Sequence, residues 1–226
     1  MDSYELPAVS EYGGVRGYDS EEMADAVLLA NAWWFTKIRW LVIGVFAATG
    51  LFSRFSPQLF VKAALLPPRV WPWVFAGNLL LANIVFVCLL RRLSEQSPHR
   101  HILGHIWLQI GVDLLVLTVL VHIIGSTDTF IAFTYLFHIA LACIFFPRKQ
   151  SLLVTLLAAS LYLSCVLLEV SGWLAESGIL ALTAGTSEPK AEEKLLVSCS
   201  GIGIWFVVWY LVSALSGDLR RRDRLL

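Results

Sequence analysis

Four polar side chains stand inside two long apolar runs, and their chemistry is the first thing the chain offers. Gln109, Asp113 and His122 lie in LGHIWLQIGVDLLVLTVLVHIIG, and His138 lies in TFIAFTYLFHIALACIFF. A carboxylate and imidazoles at membrane depth are costly, so such groups mark pathways, ligand sites or proton relays before anything else. Gln109 and Asp113 are four apart and share a helix face. Counted from the turn between the runs, Asp113 and His138 fall at similar depth. That spacing predicts that both face the bundle interior, close enough for a direct or water-bridged contact. An aspartate there favours a charged imidazole, making the pair a proton or ligand switch. The bland alternative is a polar cluster that glues helices together.

The elements that hold these groups follow from length. About 20 residues at 1.5 Å each match a hydrocarbon core of about 30 Å. Both runs meet that length, and the polar turn STD between them forces an antiparallel hairpin. With 58% apolar residues in 226, the whole chain has the composition of a multi-span membrane protein. The reading is all-α: an integral membrane bundle of six transmembrane helices with both termini cytoplasmic.

Residues 1–24 read as a disordered cytoplasmic tail, acidic and without apolar periodicity. Residues 25–216 form the six-helix domain, and 217–226 begin a cytoplasmic helix. Residues 23–36 read as an interfacial helix with Trp33 and Trp34 at headgroup depth. The spans follow at about 37–52, 70–90, 103–124, 129–146, 151–170 and 195–216. Asn78 and Asn83 read as interhelical hydrogen-bond partners in the second span. Twelve Lys and Arg fall on one side of this arrangement and five on the other. That asymmetry sets the orientation.

Several chemistries find no motif. The four cysteines lie in apolar runs without a CxxC and read as buried small residues. No HxxH, HExxH or local Cys/His cluster exists, so no metal site is expected. His105 and His122 sit near opposite ends of one span, a poor haem geometry. No P-loop, GxSxG or Gly-rich nucleotide loop is present, so no catalytic residue is expected. The run RRRDR is ordinary positive-inside charge beside lipid, and no feature points to nucleic acid.

The order of elements resembles the membrane-sensor region of bacterial two-component histidine kinases, in their six-span pilus-regulating and redox-responsive branches. The resemblance rests on WFTKIRW at the first span, LQIGVDLLVLTVL with its short turn and Phe130, and PRKQ before LLVTLLAASLYLSCVLLE. It covers about residues 33–226. It implies an input domain in the bacterial inner membrane that works as a homodimer and addresses a cytoplasmic kinase and response regulator. ATP and Mg belong to that kinase module, which these residues do not contain. In the redox-responsive branch the turn carries a Gly-Gly…Asn-Pro-Phe motif for quinone. Here Gly125 and Phe130 match, but the second glycine and the proline are missing, so the quinone site is not carried over.

The expected sensing group is therefore Gln109, Asp113, His138, Gly125, Asp128 and Phe130. The expected output seam runs through Leu215, Leu219, Arg222 and Leu226 at alternating four and three spacing. Two other classes compete: a small transporter or channel with Asp113 and His138 along its path, and a membrane scaffold.

Overall fold

The computed structural model describes residues 12–62, 65–67, 70–93, 97–127, 129–175, 177–178 and 190–223. These are α-helical almost throughout. In chain order the helices are α1 (Tyr12–Phe55), α2 (Pro57–Lys62), α3 (Trp71–Leu90), α4 (His99–Ile124), α5 (Tyr135–Phe145), α6 (Arg148–Val170) and α7 (Ala191–Asp223). A 3-10 turn over Phe130–Thr134 leads into α5.

Five of these helices are long and apolar enough to cross a bilayer, within Ala26–Phe55, Trp71–Leu90, His99–Ile124, Arg148–Val170 and Ala191–Gly217. The chain is a multi-pass membrane protein. The expected fourth span is a shorter apolar stretch, Phe130–Phe145.

The largest departure from expectation is at the start. The tail expected to be disordered to residue 24 is helical from Tyr12 onward, and residues 23–36 are not a separate interfacial helix. Both are part of α1, which runs 44 residues without a break. Once a span has nucleated, each further residue adds a hydrogen bond at little cost. The apolar part of α1 begins at Ala26, which moves Lys37 and Arg39 from the span's edge into its interior.

The other boundaries arise where the chain loses its donor or its turn. Trp71–Leu90 opens with Pro72 in its first turn, where a missing N–H costs nothing. Pro147 caps α6, and only Phe146 and Pro147 separate it from α5. Gly125 ends α4 with φ 118°, a backbone conformation that strains any residue with a Cβ.

Packing divides the bundle into two groups joined by α4. On one side α1 lies along α3; on the other α5, α6 and α7 pack mutually; α4 touches members of both. Gly50 leaves room for the Trp73 ring on the first side, where an added Cβ would come to 2.7 Å from that ring. One core runs through both groups, from Phe35 and Phe75 through Ile106, Leu114 and Val121 to Tyr135, Tyr162 and Trp205. Leucines and valines on the outer faces, such as Leu41, Leu81, Val119 and Leu211, are exposed as lipid-facing residues would be.

Candidate functional site

Two polar clusters hang on α4, one on each side of the bundle. On its side toward α1 and α3, α4 presents His105, Gln109 and Asp113 at four-residue intervals. The group they meet is Arg39 of α1, which is only 3% exposed. Its Nε donates to Asp113 Oδ1 at 2.9 Å and its Nη2 to Asp113 Oδ2 at 2.6 Å. This two-pronged fit is the geometry a guanidinium makes best with a carboxylate. Nη1 donates to Asn83 Oδ1 at 3.1 Å, and Nη2 also reaches Gln109 Oε1 at 3.4 Å.

Outer partners fix the cluster in turn. Asn83 Nδ2 donates to the Thr36 carbonyl at 3.3 Å, tying α3 to α1. Gln109 Nε2 and His105 Nε2 lie 2.9 Å apart. The Phe86 ring sits under the guanidinium with its centroid 4.8 Å away, a cation–π contact. Asp113 is the fifteenth of 26 residues in α4, so a formally neutral charge pair sits near the middle of that helix. Both carboxylate oxygens are occupied by Arg39, which leaves Asp113 poorly placed to hold a ligand.

The expected Asp113–His138 contact is therefore replaced by an Asp113–Arg39 pair, and no hydrogen bond joins Asp113 to His138. The His138 Nδ1 is buried, and among the described residues no partner meets it in hydrogen-bond geometry. A buried unsatisfied nitrogen costs about 1–3 kcal/mol. We therefore expect His138→Leu to keep the fold and to match or raise the stability of the parent chain, read as a melting temperature in detergent. A fall of several degrees would mean that the ring is satisfied after all.

The second cluster lies on the side of α4 toward α6. His122 Nδ1 is 2.6 Å from Glu169 Oε1. Ser126 donates from Oγ to the other carboxylate oxygen. Cys165 Sγ, one turn before Glu169, donates to Oε1 at 3.7 Å. The Tyr162 hydroxyl donates to the Ser126 carbonyl at 3.0 Å, and Ser198 of α7 donates to that hydroxyl at 3.3 Å. Beside it, Thr118 and Tyr135 share a 2.6 Å hydrogen bond. Glu169 is buried, whereas His122 keeps about a fifth of its side chain accessible.

The remaining expected residues fare unevenly. Gln109 belongs to the first cluster, and Gly125 closes α4 beside Ser126. Phe130 is 86% exposed and takes no part in either cluster. Asp128 and Leu226 lie outside the described residues. Leu219 and Arg222 fall within α7, as does Leu215, whose side chain is exposed. Val212, three residues before Leu215, packs on this chain's own core.

Asn83 bridges helices as expected, but among the described residues Asn78 bonds to the Val74 carbonyl of its own helix and not across to another. Cys143 and Cys165 are buried, whereas Cys88 and Cys199 lie on the outer surface rather than in the core. Sequence reasoning passed over Arg39 and Glu169. An arginine 14 residues into an apolar stretch is the signal that was available for the first. No family model, curated protein or solved structure matches this chain.

Proposed function

We propose that this chain is the sensory input domain of a two-component histidine kinase, embedded in the bacterial inner membrane with six crossings and both termini cytoplasmic. In this reading Phe130–Phe145 supplies the short sixth crossing. The signal is a membrane or envelope event, and α7 delivers it to a kinase module. The observation that carries the reading is the course of α7. It packs against α5, which bears His138, and α6, which bears Cys165 and Glu169, and continues as one helix to Asp223. An element that packs on the helices bearing these groups and also continues beyond the apolar stretch can carry a rotation or a shift outward. A carrier role for Asp113 gains no support, because Arg39 occupies both its oxygens.

A chimera tests this reading. A kinase module joined after Leu226 through linkers of seven successive lengths is expected to autophosphorylate in cells, where ATP is cytoplasmic. Phosphorylation is expected to rise and fall several-fold with linker length, because each added residue turns the helix by about 100°. Equal phosphorylation at all seven lengths, or none at any, would overturn it.

A further inference from the structure

The His122–Cys165–Glu169 cluster has the makings of something its hydrogen bonds do not require. The three potential ligand atoms, Nδ1, Sγ and a carboxylate oxygen, all lie within 4.8 Å of one another. They come from two helices: His122 from the last turn of α4, and Cys165 and Glu169 from one face of α6. We infer that these three side chains form a binding site for a single divalent transition-metal ion of the zinc class. This rests on the cluster alone and is independent of the sensory reading.

The geometry is close to what such an ion needs. Tetrahedral bonds of about 2.0–2.3 Å to N, O and S place neighbouring ligand atoms about 3.3–3.8 Å apart. The Cys165–Glu169 edge, at 3.7 Å, already has that length. The His122–Glu169 edge, at 2.6 Å, must open by about 1 Å, and the longest separation in the trio, up to 4.8 Å, must close by about as much; rotation of the partly accessible His122 side chain would have to supply both. Ser126, on the second carboxylate oxygen, would then orient Glu169 from outside the coordination sphere. Three protein ligands leave a fourth position for water or another group.

Charge and donor type narrow the ion. Binding breaks the Cys165 S–H bond and releases that proton, forming a metal–thiolate bond. The proton shared on the His122 Nδ1–Glu169 edge leaves it, to His122 Nε2 if it sits on the ring or to solvent if it sits on the carboxyl, so that a neutral His122 offers its Nδ1 lone pair and Glu169 its carboxylate. One thiolate and one carboxylate then neutralise a divalent cation, so the loaded site has no net charge in a low-dielectric setting. Imidazole and thiolate suit zinc-class ions, whereas calcium and magnesium take oxygen ligands.

The test uses the full chain in lipid nanodiscs, with C88A and C199A to remove the two surface thiols, stripped with chelator and titrated with Co2+ alone. One equivalent is expected to give a thiolate-to-cobalt charge-transfer band, which Zn2+ displaces. C143A should leave the band intact, and C165S should abolish it. H122A and E169Q should each weaken binding by at least about 10–100-fold, the loss seen when even an outer partner is removed. No thiolate band in the parent, or a band that survives C165S, would overturn the site. Should C165S fail to fold, the parent decides by its melting temperature. A Zn2+-dependent rise that H122A lowers upholds the site, and no rise overturns it.

Discussion

Asp113→Asn is expected to destabilise the bundle by about 3–5 kcal/mol, because it leaves the Arg39 guanidinium buried without a counter-charge. The Asn oxygen can still accept one hydrogen bond, but the guanidinium loses the second prong and the neutralising charge. Arg39→Met should cost a similar amount by stranding the carboxylate. Removing both charges in Arg39→Met with Asp113→Leu should recover much of the loss, since a buried pair replaced by apolar groups is often close to neutral. Incomplete recovery is expected, because Asn83 and Gln109 lose their shared partner as well. Equilibrium unfolding in mixed detergent micelles of the parent, Arg39→Met, Asp113→Leu and the double variant measures all four corners of the cycle. A double variant no more stable than the sum of the single losses would show that the pair does not act as a unit.

Trp205→Ala is the second large effect, expected at about 3–5 kcal/mol for the loss of a buried aromatic. Trp205 is 1% exposed and lies at the meeting point of three helices. Its ring centroid is 4.9 Å from that of Tyr135 on α5 and 5.2 Å from that of Tyr162 on α6. Truncation therefore removes two ring contacts worth about 0.5–1.5 kcal/mol each beyond their area. It also loosens Tyr162, which holds Ser126 beneath Glu169. Trp205→Phe keeps an aromatic face and should cost well under half as much. If the alanine variant loses less than about 1 kcal/mol in the same unfolding assay, α7 is held by something other than this trio.

Much of the helix layout was legible because a bilayer demands long apolar runs. The span read as 70–90 is Trp71–Leu90, and that read as 151–170 is Arg148–Val170. What failed were boundaries and partners. Trp33, Trp34, Lys37 and Arg39 look like an interfacial flank, because tryptophan and basic residues gather there. Only the fold reveals that Arg39 has a carboxylate waiting 74 residues away. Asp113 was visible as a costly group needing a partner, yet the nearest plausible one along the hairpin was His138. The eventual partner sits on a helix that the hairpin's own spacing says nothing about. Glu169 was hidden in the same way, reading as the polar end of a span until α4 brought His122 and Ser126 to it. Local spacing exposes ligands on one helix, and it is silent on pairs assembled across two.

The 3-10 turn and short helix over Phe130–Phe145 carry one more consequence, for the lipid around them. Five residues at about 2.0 Å and eleven at about 1.5 Å give about 26 Å, against about 30 Å of hydrocarbon. If Phe130–Phe145 crosses as proposed above, the bilayer must thin by about 4 Å beside this segment or its neighbours must tilt. Hydrophobic mismatch costs fractions of a kcal/mol per Å, so the shortfall amounts to about 1–2 kcal/mol. The strain falls on the helix that bears His138 and abuts α7, which makes acyl-chain length a variable that shifts the bundle without any ligand.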